Sequence, residues 1–178
     1  LAGLIRPAYE AAARHGRPRI LLSAHGLPRK FVTAGDGYQH QVEQTAAAVM
    51  AALAMDGLDH VLCYQSRVGR MEWLQPYTDH EISRAGANGV PLVVVPIAFV
   101  SEHSETLVEL DMDYAAIATS AGVPAYYRVA TVGTEPAFIR GLANLVRQAL
   151  AEPAKTVLSG GANTCPAGFG ACLRQAED

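Results

Sequence analysis

Four short apolar runs punctuate the chain: Arg19–Ala24 (RILLSA), His60–Tyr64 (HVLCY), Pro91–Val100 (PLVVVPIAFV) and Ala125–Val132 (AYYRVATV). Each has the length of a strand. The third is a near-continuous branched run, as a strand buried on both faces requires. Between the runs the apolar period lengthens. Tyr38, Val42, Ala46, Val49 and Leu53 recur at three and four residues, and Gly57 follows as a stop, which predicts an amphipathic helix. The same reading predicts helices over Leu1–Ala12, Thr78–Ala87, Ser104–Ser120 and Pro136–Leu150. Leu107, Leu110 and Ile117 mark the expected buried side of the Ser104–Ser120 helix. The order is one helix followed by four strand–helix units. That alternation predicts an α/β domain of Rossmann-like, three-layer design, with a four-stranded parallel sheet flanked by helices. The domain is expected over residues 1–152. From Pro153 onward the chain is rich in Gly, Ala and Pro, and 153–178 reads as a tail. Because the chain opens at Leu1 inside a helical pattern, it is expected to be a piece of something longer.

Composition narrows the function classes. Of 178 residues, 50% are hydrophobic and 17% charged, and the formal net charge is −3. No basic run suggests nucleic acid. No apolar run approaches the roughly 18 residues that span a bilayer. Three irregularly spaced cysteines argue against a disulfide scaffold and for a reducing, cytoplasmic setting. The loop after the first run is not GxGxxG, so nothing suggests a dinucleotide site.

In a parallel α/β sheet, ligands bind beyond the carboxyl ends of the strands. The polar residues following each run are therefore the candidates. The first mouth reads Ser23-Ala24-His25-Gly26-Leu27-Pro28, the second Gln65-Ser66-Arg67-Val68-Gly69 and then Trp73, and the third Phe99-Val100-Ser101-Glu102-His103-Ser104-Glu105. His25 is either a base or metal ligand near neutral pH, or a turn residue bonded to backbone. Glu105, Glu109 and Asp113 are spaced by four, so on a helix they form one acidic line. That line is either a solvated face or a row of carboxylates leading a cation or protons to the strand mouths. Imidazole with carboxylate suits Fe(II), Zn(II) or Co(II). Trp73 and Phe99 each read as a packing anchor or as a flat wall for an aromatic ligand. Cys63 reads as a core residue. Cys165 and Cys172 form C-x6-C in the tail, and two thiolates do not complete a metal site.

Taken together, SAHGLP (Ser23–Pro28), GDGY (Gly35–Tyr38), YQSRVG (Tyr64–Gly69) with Trp73-Leu74, and VPIAFVSEHSETLVELDMDY (Val95–Tyr114) resemble the ferrochelatase family. The resemblance runs from about Arg19 to Leu150, and only to the second half of those two-domain enzymes. It implies a chelatase-like half-domain that inserts Fe(II) into protoporphyrin IX, the last step of haem synthesis, once the N-terminal half closes the cleft. His25 resembles the histidine assigned to pyrrole proton abstraction, metal binding or both. Glu105 resembles the carboxylate opposite it. Glu109 and Asp113 resemble the acidic line that continues along a distorted helix as a metal or proton path. Trp73, Phe99, Gln65, Ser66 and His103 resemble substrate-pocket residues. Arg70 departs from the family's usual proline. The fragment CPAGFGAC resembles the tail in which some members hold a [2Fe-2S] cluster; here Cys165 and Cys172 stand without a further tail cysteine. Product haem is apolar, so peripheral contact with the inner membrane is expected. The rival readings are a cobalt or nickel chelatase and a non-catalytic tetrapyrrole- or metal-binding module.

Overall fold

The computed structural model describes residues 1–151 and 169–170. Its sheet has four strands, β1 (Arg19–His25), β2 (Asp59–Gln65), β3 (Leu92–Pro96) and β4 (Tyr126–Arg128), all parallel in the order β2-β1-β3-β4. Helix α1 (Ala2–Ala12) precedes β1, and a short α2 (Arg29–Thr33) and α3 (Tyr38–Leu53) follow it. Helix α4 (Thr78–Ala87) joins β2 to β3, and α7 (Pro136–Ala151) ends the described domain. Among the described residues no helix is long and apolar enough to cross a membrane.

The strands are apolar on both faces because helices cover both. Ile20, Leu22, Val93 and Val95 pack with Ile5, Ala12, Val42 and Leu53 of α1 and α3. Their neighbours Leu21, Leu92, Val94 and Cys63 pack with Ile82 and Ala85 of α4 and with Leu110, Tyr114 and Ala118 beyond β3. The same two-residue period carries past the apolar part of each strand. Ser23 and His25 follow the parity of Leu21. In register beside them, Cys63 pairs with Ser23 and Gln65 with His25. The polar ends of β1 and β2 thus lie on the α4 side.

Three expectations change. β3 is shorter than the predicted run Pro91–Val100. Pro96 brings no N–H to the ladder, the strand stops there, and residues 97–103 form the loop that carries Phe99, Glu102 and His103. β4 likewise shrinks to three residues, after which the Thr131 amide turns to Glu102 Oε1 at 3.0 Å. The Ser104–Ser120 helix is interrupted. It consists of α5 (Ser104–Leu107), a π turn over Glu109–Asp113 and α6 (Tyr114–Ser120). The Asp113 amide reaches back five residues to the Val108 carbonyl at 3.0 Å. The extra residue in the turn shifts the phase, so Leu107 is 47% exposed instead of buried, while Leu110 stays in the core. Such single π turns are frequent at functional sites.

Candidate active site

The first mouth holds His25 by its backbone and by its ring. The Gly26 amide donates to Gln65 O at 2.7 Å, and the Tyr38 hydroxyl donates to His25 O at 2.8 Å. Burial pushes the Tyr38 phenol up to about 12, so it remains a donor there. The ring's Nδ1 lies 2.6 Å from Gly26 O. A carbonyl only accepts, so Nδ1 carries the hydrogen. Nε2 is left to face Glu105 Oε1 at 3.5 Å. Both side chains are about two-fifths exposed, 39% and 41%, so the pair is open to a ligand.

Gly26 is required by close approach. A Cβ there would meet Gln65 O at 2.8 Å and Trp73 Cε3 at 3.1 Å. Trp73 is 7% exposed, and its indole N–H donates to Val68 O at 3.0 Å. It lies over the glycine and helps hold the turn that carries His25. Pro28 bridges to Trp73, and the Leu74 amide donates to Leu27 O at 3.0 Å, which ties the first two mouths together.

The second mouth is a hydrogen-bond hub. Gln65 is 1% exposed. Its Oε1 accepts from Ser23 Oγ at 2.8 Å, and its Nε2 donates to Glu105 O at 2.9 Å and to Glu109 Oε2 at 3.1 Å. Ser23 Oγ is 2.9 Å from Thr78 Oγ1, which donates to the Cys63 sulfur at 3.3 Å. Cys63 is fully buried, and that burial pushes its thiol up to about 12. Ser66 has a left-handed backbone, φ +64°, a conformation that costs roughly 1–3 kcal/mol for a non-glycine residue. Glu109 holds it there by accepting from the Ser66 amide at 2.8 Å and from its hydroxyl. The Tyr114 hydroxyl completes the set, donating to Glu109 Oε1 at 2.8 Å. Burial, then the neighbouring Glu109 charge, raises the Tyr114 phenol well above its ordinary value.

The third mouth supplies the segment that carries Glu105. His103 caps α5: its Nδ1 accepts from the Glu105 amide at 3.2 Å, and its own amide donates to Thr106 Oγ1 at 2.9 Å. Phe99 is buried, with its ring 5.2 Å from that of His103. From the far side, Arg128 binds Asp111 through Nε and NH2 at 2.7 and 2.6 Å and Glu102 through NH1 at 2.6 Å. The Tyr126 hydroxyl donates to Leu110 O at 2.8 Å. The π turn is thus gripped from both β2 and β4.

The structure brings His25 and Glu105 together and places Glu109 behind them, while Asp113 is exposed at the far end of the turn. Gln65 and Ser66 face inward to protein partners. Trp73 and Phe99 are packed, and His103 is a helix cap. Exposed apolar side chains instead stand at Val68, Met71, Val100, Leu107, Val108 and Met112 on the same carboxyl edge. Cys165 and Cys172 lie outside the described residues. Among the described residues no three His, Cys, Asp or Glu side chains converge as a ready-made metal site. Tyr38 and Tyr114 were absent from the sequence candidates, although both lie within the resembling segments.

A family model for ferrochelatase matches residues 1–150. The ferrochelatase of Caulobacter vibrioides is 48% identical over 171 residues, covering 96% of this chain and 49% of the relative. That of Phenylobacterium zucineum is 50% identical over 171 residues, with the same coverage of 96% and 49%. The chain belongs to the ferrochelatase family. It spans about half the length of these ferrochelatases. A ferrochelatase from Thermosynechococcus vestitus, 48% identical over 158 residues, covers 88% of the chain and 40% of itself. The fold extends beyond close ferrochelatase relatives. A solved structure described as a cobalamin (vitamin B12) biosynthesis CbiX protein from Marinobacter aquaeolei VT8 superposes with a TM-score of 0.52 at 18% identity. It covers 75% of this chain and 97% of that one, so the two share the three-layer architecture.

Proposed function

We propose that residues 1–152 form the C-terminal half of a two-domain enzyme that inserts Fe(II) into protoporphyrin IX to give protohaem. The observation that carries this reading is the open pair His25 Nε2 and Glu105 Oε1, 3.5 Å apart. With Nδ1–H committed to Gly26 O, Nε2 is the ring nitrogen left to face the carboxylate. Such an arrangement takes up a proton or a cation. The exposed apolar residues of the same edge offer a wall to a flat apolar substrate.

Metal insertion needs both properties. The free porphyrin carries two N–H protons, and the divalent ion replaces them, so two protons leave for each ion that enters and no electron moves. His25 takes a pyrrole proton on Nε2. Glu105 steadies the imidazolium and accepts the proton in turn. Groups in this role contribute about 10²–10⁴-fold. Asp113, exposed at the far end of the turn, is placed to receive protons or ions from solvent. The N-terminal half would supply the opposite wall, and peripheral membrane contact would serve an apolar product.

A [2Fe-2S] cluster takes four cysteine ligands. Of this chain's three cysteines, Cys63 is buried in the core and held as a thiol, which leaves two. The residues present do not complete a cluster, and no step passes through one.

The test is optical. Full-length enzyme is mixed anaerobically with protoporphyrin IX and, in separate runs, Fe(II), Zn(II), Co(II) or Ni(II), and the Soret and Q bands are followed. Metalloporphyrin formation that falls about 10²–10⁴-fold in His25→Ala supports the reading. Porphyrin binding without insertion of any metal makes the protein a carrier. Insertion of Co(II) or Ni(II) alone makes it a different chelatase.

A further inference from the structure

The row Glu105, Glu109, Asp113 looks uniform in sequence, yet its middle member is already occupied. A carboxylate offers about four lone-pair sites. At Glu109, Oε1 accepts from the Ser66 amide and the Tyr114 hydroxyl, each at 2.8 Å. Oε2 accepts from Gln65 Nε2 at 3.1 Å and from the Ser66 hydroxyl. The donors come from β2, from the left-handed residue just beyond it and from the first residue of α6. Gln65 then donates from the same amide group to Glu105 O at 2.9 Å. Glu105 has a different environment: its carboxylate meets His25 and is two-fifths exposed. To bind an ion, Glu109 would have to release donors that hold Ser66 in its strained conformation.

We infer that Glu109 is a positioning residue and not a station for the incoming metal. Its carboxylate locks the second strand mouth to the π turn and, through Gln65, fixes the main chain of Glu105 opposite His25. The inference rests on His25 and Glu105 being the reacting pair. It divides the acidic row into a reacting end, a structural middle and a solvent end.

The test compares Glu109→Gln, Glu109→Asp and Tyr114→Phe in the full-length enzyme. Glu109→Gln keeps the shape but loses half of the acceptor capacity. Glu109→Asp keeps the charge but withdraws it by one methylene. For a positioning residue, both lower kcat by about 10–100-fold, while KM for the metal and Zn(II) affinity of the porphyrin-free protein stay within about twofold. Tyr114→Phe leaves the carboxylate in place, removes one donor and lowers kcat in the same direction. Its thermal melt verifies that the fold persists if the Glu109 variants fail to fold. A rise in metal KM or a loss of Zn(II) affinity of about tenfold or more in Glu109→Gln, with Glu109→Asp near wild type, overturns the inference. Amide exchange at Ser66 gives a readout independent of turnover. It accelerates in Glu109→Gln if the clasp is real, and unchanged exchange overturns it. An inert wild-type enzyme counts against the proposed reaction, and the Zn(II) and exchange measurements still decide the role of Glu109.

Discussion

At the mouths of β1 and β2, Ser23, Gln65, Ser66, Glu109 and Tyr114 direct nearly all of their hydrogen-bonding capacity at one another. At the other edge of the molecule the three residues of β4 are only half-buried, and the sixteen-residue helix α7 buries none of its side chains. Tyr126 and Arg128 are the exceptions on that edge, since Tyr126 reaches back to Leu110 O and Arg128 to Asp111 and Glu102. The contrast separates two requirements of a site. Polar groups that fix a reacting pair must be satisfied inside one chain, because each orphaned buried donor or acceptor costs roughly 1–3 kcal/mol. Apolar walls carry no such demand and can stay uncovered until something packs on them. This chain completes the first requirement and leaves the second open.

The largest effect is expected where the network is densest. Gln65→Leu preserves approximate size but removes the acceptor for Ser23 and the donors to Glu105 O and Glu109. Ser23 can turn to Thr78, and Glu109 keeps three donors, so part of the loss is recovered. The net cost should be about 2–4 kcal/mol, or a Tm lower by roughly 5–15 °C for a chain of this size. Denaturant unfolding of the chain checks it. A change below about 1 kcal/mol would mean that the network relaxes freely, and the contrast between the two edges would fail.

The parts of this arrangement that follow local rules were legible beforehand. The three- and four-residue period of Tyr38–Leu53 and the span Thr78–Ala87 match α3 and α4 residue for residue. The βα alternation gave the parallel sheet, and the rule that ligands lie at carboxyl ends led to His25 and Glu105. The local residue pattern did not announce the π turn, although the family resemblance pointed to a distorted helix there. A spacing of four between acidic residues reads as a continuous α-helix, and no local pattern announces one extra residue in a turn. What holds it open is tertiary: Tyr126 on Leu110 O, Arg128 on Asp111, and Ser66 on Glu109. Gln65 was misleading for a similar reason. A polar side chain at a strand end looks solvent-facing, and its burial depends on α5 and the π turn closing over it.

A smaller effect distinguishes the edges by pH. Burial raises the phenols of Tyr38, Tyr64 and Tyr114 near the first two mouths, and that of Tyr126 beside the π turn. A phenol whose folded pKa lies above its unfolded value of about 10 stabilises fully below pH 10. Above that point the unfolded chain loses protons that the folded chain retains, and stability falls as pH climbs. The buried Cys63 thiol, raised to about 12, adds the same effect from its unfolded value of about 8.5. Unfolding free energy should therefore hold level from pH 7 to about 8, begin to fall as the unfolded thiol ionises, and fall more steeply from about pH 10. Tyr38→Phe should remove part of the slope, on the order of 1 kcal/mol by pH 12 once solvent access to the ring edge is allowed for. α7 contains no tyrosine, cysteine or carboxylate, so substitutions there should leave the slope unchanged. A decline that survives Tyr38→Phe, Tyr64→Phe, Tyr114→Phe and Tyr126→Phe together with Cys63→Ala would place its origin elsewhere.

The smallest effect on stability belongs to α7, and its smallness is the point. Ile139, Leu142, Val146 and Leu150 form an exposed apolar stripe along this helix, spaced by three or four residues per turn as an amphipathic face requires. They are 43–78% exposed and none is buried in the core, so removing their methyl groups opens no closed cavity. Leu142→Ser with Val146→Ser should shift the unfolding free energy of the chain by no more than about 0.5 kcal/mol. The same pair should lower retention on a hydrophobic column and the sedimentation-detected tendency of the chain to associate, because a contiguous apolar stripe is what association would bury. A Tm drop of several degrees at low protein concentration would be the informative surprise. It would show α7 packed against part of its own chain, and the two edges would then differ in the chemistry of their partners and not in whether partners exist.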